Sequence, residues 1–90
     1  MSNSVSAGTA TVRYFGGAKT AAGIRSELVA IRAGATIEGL IAALAASHGE
    51  ALARVLAAAS FLLDEVAVHD RSVAVPDGAV VDVLPPVAGG

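Results

Sequence analysis

The sequence predicts an α+β domain in which one main helix packs on one face of a β-sheet. The prediction rests on the order of the segments. Strand-like alternation occurs over Thr9 to Phe15 and Ser26 to Ile31, a helical segment begins at Thr36, and further strand-like segments follow it. A helix with one apolar face has to bury that face, and the sheet formed by the flanking strands provides the surface.

The first two strands are joined by a short connection that contains glycine. Side chains alternate over Thr9 to Phe15, Gly16 and Gly17 end this strand, and a short helical segment is expected over Ala18 to Ala22. The second strand is expected over Ser26 to Ile31. Because the connection is short, the two strands are expected to pair as an antiparallel hairpin.

The main helix has recognisable signals at both ends. Thr36 suits the N-cap, Glu38 lies in the first turn where the helix dipole favours an anion, and Gly49 suits the position after the last turn. His48, in that last turn, is interpreted as a helix-end residue and not as a metal ligand or a catalytic base. The apolar residues recur at helical spacing and are Ile37, Leu40, Ile41, Leu44 and Ala45.

A shorter helical segment and three strand-like segments complete the domain. Phe61 to Leu63 is an apolar strand, Asp64-Glu65 a turn, and Val66 to Val68 either the second strand of a hairpin or a loop. A turn at Pro76-Asp77-Gly78 precedes the last strand, Ala79 to Leu84. The apolar face of the shorter helix consists of Leu52, Val55, Leu56 and Ala59.

Length and composition limit the chain to one small core without a membrane span. The 90 residues are 54% hydrophobic but only 3% aromatic, so the core is expected to consist of Ala, Val, Leu and Ile, with Tyr14, Phe15 and Phe61 as its large members. The longest nearly uncharged apolar run, Val55 to Leu63, is far shorter than the roughly 20 residues that a bilayer span needs. Residues 1–8 are expected to be a disordered lead-in without a secretory signal, which makes the cytoplasm the default compartment.

Charge and cysteine content exclude several functional classes. Six basic and eight acidic residues give a net charge of −2 without a basic stripe, which argues against nucleic acid and anionic membrane as partners. The absence of cysteine excludes a disulfide framework, a thiolate nucleophile and a Cys-based metal site. Asp64-Glu65, Asp70 and Asp77 are interpreted as turn residues, so no catalytic or metal site of the chain's own is expected.

The last strand leads into a projecting C-terminal arm, which is the candidate functional site. Val81 and Val83 are expected to face the core, whereas the opposite side is mixed and its apolar Leu84 is expected at a docking surface. Two prolines stop strand pairing, and the four residues after them reach roughly 13 Å as an uncharged, narrowing segment. We expect a flexible tail over residues 85–90 that ends on the unhindered carboxylate of Gly90, and its residues are Pro85, Pro86, Val87, Ala88, Gly89 and Gly90.

Several of these segments resemble the MoaD/ThiS family of β-grasp, ubiquitin-like sulfur carriers. The resemblance extends from about Thr9 to Gly90, and its most specific part, the ending Pro-Pro-Val-x-Gly-Gly, resembles the small subunits of molybdopterin synthase. It implies a β-grasp domain over residues 9–84 with a mixed sheet and one main helix on one face. The segments that carry it are Val12-Arg13-Tyr14-Phe15, Gly16-Gly17-Ala18-Lys19, Gly34-Ala35-Thr36, Pro76-Asp77-Gly78 and residues 85–90.

The resemblance also implies a function for the C-terminal arm. An E1-like activating enzyme would adenylate the Gly90 carboxylate with ATP, and a sulfur donor such as a sulfurtransferase would convert it to a thiocarboxylate. The tail would then enter the large subunit of molybdopterin synthase, in a complex of two small and two large subunits, and give its sulfur to cyclic pyranopterin monophosphate. Neither a bound cofactor nor a metal is implied for the chain itself.

Two positions depart from the family pattern. Lys19 stands where the family often has Arg, and Glu65 takes a turn position where Gly is frequent. The residues leave other functions open: a sulfur carrier for thiamine or cysteine biosynthesis, a ubiquitin-like modifier attached through Gly90, and a plain binding module.

Overall fold

A computed structural model of the chain describes residues 8–86, and its eight elements follow the predicted order. Residues 1–7 of the expected lead-in and residues 87–90 of the arm lie outside this range. The helices and strands are β1 Gly8–Tyr14, α1 Gly16–Ala22, β2 Ser26–Ile31, α2 Ile37–His48, α3 Glu50–Ala58, β3 Ser60–Leu63, β4 Val66–Ala67 and β5 Val80–Leu84.

The strands form one mixed five-stranded sheet in the order β2-β1-β5-β3-β4. The predicted antiparallel pairing of β1 with β2 is confirmed, although α1 lies between them in sequence. The last strand, β5, lies at the centre of the sheet, parallel to β1 on one side and antiparallel to β3 on the other. The arm that follows β5 therefore leaves the domain from the middle of the sheet.

Local sequence explains the helix ends. Thr36 caps α2, with its side-chain oxygen accepting a hydrogen bond from the Gly39 N–H at 3.1 Å, as predicted. Gly49 lies between α2 and α3 at a φ of 99°, a conformation that L side chains rarely adopt, and its N–H donates to the Ala45 carbonyl. The predicted shorter helix is confirmed as α3.

Some boundaries differ from those predicted. β1 begins at Gly8, one residue inside the expected lead-in, and ends at Tyr14, because Phe15 is the N-cap of α1. Gly16 and Gly17 therefore form the first turn of α1 and do not simply break the chain. The segment at Val66 is a two-residue strand and makes a hairpin with β3.

The core lies between one face of the sheet and the three helices. On β1 and β5 it takes alternate residues, as predicted for Val81 and Val83. No helix within residues 8–86 combines the length and the apolarity that crossing a bilayer requires. The buried apolar residues are Ala10, Val12, Tyr14, Ala18, Ile31, Ile37, Leu40, Leu44, Leu52, Leu56, Ala59, Phe61, Val75, Ala79, Val81 and Val83.

Candidate functional site at the base of the C-terminal arm

The base of the arm is anchored in the sheet on both sides. Leu84 is half-buried and pairs with Ser60 of β3, while the Phe15 N–H donates to the Val83 carbonyl at 3.2 Å. Pro85 is half-buried and Pro86 exposed, so the chain passes from the sheet to solvent over these two residues. The predicted site residues Val87, Ala88, Gly89 and Gly90 lie outside the described part of the chain.

The absence of a side chain at Gly16 lets the turn between β1 and α1 lie close to Pro85, the first proline of the arm. Gly16 has a φ of 51°, and a Cβ added to it would lie 3.2 Å from Cγ of Pro85. Both facts favour glycine, because an L side chain there would be strained in its backbone and crowded against the proline ring. The turn from β1 into α1 therefore contacts the arm directly.

Within residues 8–86, the sheet face opposite the helices has no helix on it and carries exposed apolar side chains; we call it the open face. Leu28 is 72% exposed and Phe15 41% exposed. The expectation that Phe15 belongs to the core is wrong, because the residue follows Thr11 and Arg13 on the open side of β1. Half-buried apolar residues with the same outward register are Leu62, Val80 and Leu84.

An ion pair lies in the middle of the open face. Arg13 of β1 donates to both oxygens of Asp82 of β5, with Nε–Oδ1 2.6 Å and Nη2–Oδ2 2.9 Å. The Asp82 side chain is only 5% exposed, and the hydrogen bonds and charge of its carboxylate raise the pKa of the Arg13 guanidinium above its ordinary value. The Arg13 guanidinium carbon also lies 5.9 Å from the Phe15 ring centre. The ion pair thus connects the two strands that hold the arm and contacts the exposed aromatic ring beside it.

Sequence reasoning missed this ion pair. The predicted alternation, with Val81 and Val83 facing the core, puts Asp82 on the mixed side of the last strand, as the structure has it, but gives it no partner. Arg13 is 69 positions away in the chain, and only the parallel pairing of β1 with β5 puts the two residues opposite each other. A charged residue inside an otherwise apolar strand was the available signal.

A second polar cluster lies at the helix-covered side of the sheet. The Tyr14 hydroxyl donates to Glu27 Oε2 at 2.5 Å, and His48 Nε2 lies 2.5 Å from the same oxygen. His48 is the helix-end residue that was predicted, but its contact with Glu27 and its edge-to-face packing on Tyr14 were not. The cluster attaches the end of α2 to β1 and β2.

Three of the acidic residues assigned to turns accept hydrogen bonds from backbone N–H groups, one within its own turn and two from strands distant in the chain. Asp64 accepts a hydrogen bond from the Val80 N–H, Asp70 from Ser72, and Asp77 from the Thr9 N–H. Within residues 8–86, these carboxylates make no cluster with histidine that could hold a metal ion.

Comparison with known proteins identifies the family of the chain. Residues 12–90, which contain β5 and the entire arm, match the ThiS family. The chain belongs to the ThiS family. No curated protein matches its sequence significantly.

Two solved structures of different description are similar to this ThiS-family chain. SAMP1 from Haloferax volcanii is 26% identical, with a TM-score of 0.80 over 92% of this chain and 100% of its own. A chain in the complex of subunits 1 and 2 of molybdopterin-converting factor from Helicobacter pylori is 27% identical, with a TM-score of 0.66 over 91% of this chain and 99% of its own.

A third structure supports the fold alone. The putative molybdopterin converting factor subunit 1 from Pyrococcus furiosus is 22% identical, with a TM-score of 0.76 over 90% of this chain and 100% of its own. Together these structures confirm the β-grasp, ubiquitin-like fold.

Proposed function

We propose that this ThiS-family chain is a sulfur carrier and the small subunit of molybdopterin synthase. The observation that carries the proposal is the arm: a Pro-Pro-Val-Ala-Gly-Gly ending that follows the central strand of the sheet. Such an arm brings a terminal carboxylate to a partner's active site while the domain remains outside.

The chemistry of the proposal requires only the terminal carboxylate. A carboxylate is a poor electrophile, and transfer of AMP from ATP by an E1-like activating enzyme makes the Gly90 carbonyl carbon open to attack. The persulfide sulfur of a donor such as a sulfurtransferase attacks this carbon and displaces AMP. A thiol then attacks the donor sulfur of the resulting acyl disulfide, which forms a new disulfide on the donor and releases the thiocarboxylate. This sulfur is nucleophilic without any cysteine, which suits a chain that contains none.

The docking partner is proposed to be the large subunit of the synthase, in a heterotetramer of two small and two large subunits. Apolar side chains beside an emerging tail suit a protein partner, and Phe15 and Leu84 provide them on the open face, with Leu28 farther away on the same face. The likeness to a chain from the two-subunit complex of molybdopterin-converting factor supports the same partner. The sulfur acceptor would be cyclic pyranopterin monophosphate.

A ubiquitin-like modifier is the second candidate function. It is favoured by the likeness to SAMP1, which has a higher TM-score than the chain from the two-subunit complex at nearly the same identity. The activated Gly90 would then form an isopeptide bond with a lysine of another protein. Carriers for thiamine or cysteine biosynthesis use the same terminus and differ in the protein that receives the sulfur.

The intact mass of the chain tests the proposal. After incubation with ATP, activating enzyme and sulfur donor, we expect the mass to rise by the difference between one sulfur and one oxygen, and the change to map to the C-terminal peptide. A chain lacking Gly90 is the control and should fold normally, remain unmodified and support no cofactor synthesis. Modification at another position, or a fully active truncated chain, would refute the carrier function.

The identity of the acceptor needs a second measurement. The thiocarboxylated chain, mixed with the synthase large subunit and cyclic pyranopterin monophosphate, should return to its carboxylate mass as molybdopterin appears. Isopeptide-linked adducts in place of this turnover would favour the modifier, and sulfur transfer only to a thiazole or cysteine synthase would favour the other carriers.

A further inference from the structure

The outer edge of β2 presents backbone groups that no other strand within residues 8–86 uses. β2 is the terminal strand of the sheet, and the Tyr14 N–H donates to the Arg25 carbonyl at 2.8 Å. In an antiparallel pair the bonded positions alternate, so Glu27, Val29 and Ile31 direct their backbone groups to β1. Ser26, Leu28 and Ala30 direct theirs away from the sheet.

An open groove of about 530 Å³ lies beside this edge, between β2 and the first half of α2. The groove exists because α2 places small residues there: Ala43, and Gly39, which has no atom closer than 3.5 Å to an added Cβ. Its β2 wall includes Val29 and Ile31, and Leu40 lies on the α2 wall. The groove therefore offers room for apolar side chains next to unused strand hydrogen bonds.

Both ends of the edge are positively charged. Arg25 precedes β2 and Arg32 follows it, both are exposed, and neither has a salt bridge within residues 8–86. The carboxylate of β2 itself, Glu27, faces the core side and is occupied by Tyr14 and His48. A ligand lying along β2 therefore meets positive charge at each end.

We propose that the β2 edge and its groove bind an extended peptide segment of a partner protein that carries apolar residues at alternate positions and carboxylates at both ends. The segment adds to the sheet as a sixth strand, its backbone pairs with Ser26, Leu28 and Ala30, and every second side chain enters the groove. Charge complementarity with Arg25 and Arg32 selects acidic ends.

This site is distinct from the arm. The groove adjoins Ile31, which pairs with Gly8, whereas the arm leaves beside the other end of β1, roughly 20 Å away along the strand. The Arg25 end of the edge lies level with Tyr14, and there β1 separates the edge from the arm. The bound segment and the arm can thus be in use together. The proposal goes beyond sulfur transfer and does not depend on it.

Binding of a synthetic peptide tests the site. The probe is the blocked peptide Asp-Glu-Val-Thr-Val-Thr-Val-Glu-Asp, titrated into the full ¹⁵N-labelled chain, with a version carrying Lys in place of every acidic residue as the control. We expect saturable amide shifts confined to β2 and the groove-facing part of α2, and much weaker binding of the Lys peptide. Shifts centred on β3, β5 and the base of the arm, or equal binding of both peptides, would overturn the proposal.

Matched variants test the strand pairing and the charge. Ala30→Pro removes an outward N–H at an edge position that tolerates proline and should weaken binding about tenfold, whereas Ala30→Val keeps the N–H and should bind like the parent. Arg32→Glu should weaken binding about fivefold, whereas Arg54→Glu on α3 should not.

If Ala30→Pro fails to fold, Ala43→Leu tests the site instead, because its larger side chain on α2 fills the groove. A folded Ala30→Pro or Ala43→Leu chain that binds like the parent would refute the site, and deletion of Gly90 should leave binding unchanged.

Discussion

At the scale of single residues, each face of the sheet carries a polar contact. The open face carries an ion pair, and the helix side carries a hydrogen bond between a hydroxyl and a carboxylate. On the open face, Arg13 and Asp82 form a charged pair in which the carboxylate is almost fully covered. On the helix side, the Tyr14 hydroxyl is buried and donates to Glu27. Buried polar groups need partners, and each of these carboxylates has one, so neither group leaves an unsatisfied polar atom in the sheet.

The Tyr14 contact leads to a prediction about alkaline pH. Burial, followed by the hydrogen bond to and the charge of Glu27, raises the pKa of the Tyr14 phenol far above its ordinary value near 10. The folded state thus binds a proton that the unfolded state loses near pH 10. The resulting stability is complete below about pH 10 and is lost as the pH rises further toward the folded-state pKa.

Phenolate absorbance measures this directly, because the chain has one tyrosine and no tryptophan. We expect no titration near pH 10 in the folded chain and a normal titration in urea. Tyr14→Phe should remove this part of the alkaline loss of stability. Ionisation of the folded chain near pH 10 would show that Glu27 and the core do not hold the proton.

The sequence predicted which face of the strand these residues occupy but not which side chains they contact. Alternation in β1 correctly separated Val12 and Tyr14 from Arg13, since a strand has a fixed period of two. It could not pair Arg13 with Asp82, or Glu27 with His48, because those contacts depend on strand order and on where α2 ends above the sheet. Phe15 was misplaced because its hydrophobicity was given more weight than its register.

At the scale of elements, the turn of the β3–β4 hairpin contains a residue, Glu65, whose side chain is unfavourable for the backbone conformation of the turn. Asp64 and Glu65 form a two-residue turn, and both have positive φ, 48° and 70°. This is the conformation of a type I′ turn, in which Asp-Gly is the preferred pair. Asp64 compensates by accepting a hydrogen bond from the Val80 N–H at 2.9 Å, whereas the Glu65 side chain makes no hydrogen bond within residues 8–86.

We therefore expect Glu65→Gly to stabilise the domain. A left-handed conformation costs an L residue roughly 1–2 kcal/mol, and glycine loses about 0.5–1 kcal/mol more backbone entropy on folding, so the net gain is about 0.5–1 kcal/mol. Thermal unfolding should show a midpoint higher by about 4 °C. Asp64→Gly is the control and should show no such gain, because it removes the acceptor for Val80. A Glu65→Gly chain that melts at or below the parent temperature would mean that the turn is not strained at this position.

Element order was more predictable from the sequence than element ends. The signals for α2 are local, a threonine cap and a terminal glycine, and both were located correctly. The start of α1 was missed because glycines were interpreted as a break, whereas Gly16 supplies the positive φ that lets the chain turn directly into the helix. The parallel pairing of β5 has no local signal and was implied only through the family resemblance.

At the scale of the whole molecule, the fold separates the two partner surfaces that we propose. The arm leaves where β1 and β5 end together, while the groove beside β2 lies at the other end of β1, on the outer edge of the sheet. A carrier has to release its terminus to an activating enzyme and then to a synthase. A second, independent site allows the domain to remain attached to one protein while its terminus is used by another.

The last prediction concerns delivery of the arm into the large subunit. Val87→Asp places a charge in a tail that we propose enters a desolvated cleft, where an ionised group without a partner costs several kcal/mol. In the isolated chain the change should alter stability by no more than about 0.5 kcal/mol, because surface changes usually stay within that range and the described core ends at Val83. Thermal unfolding of the isolated chain and affinity for the large subunit, measured side by side, should therefore respond differently.

A second valine provides the matched control for this experiment. Val66 lies on β4 and is 68% exposed, far from the arm across β3, so Val66→Asp should change neither quantity appreciably. Loss of affinity in both variants would point to a general effect of added negative charge on the complex. Unchanged affinity with Val87→Asp would show that the tail does not pass through a closed apolar path, and would favour a carrier or modifier whose terminus reacts in the open.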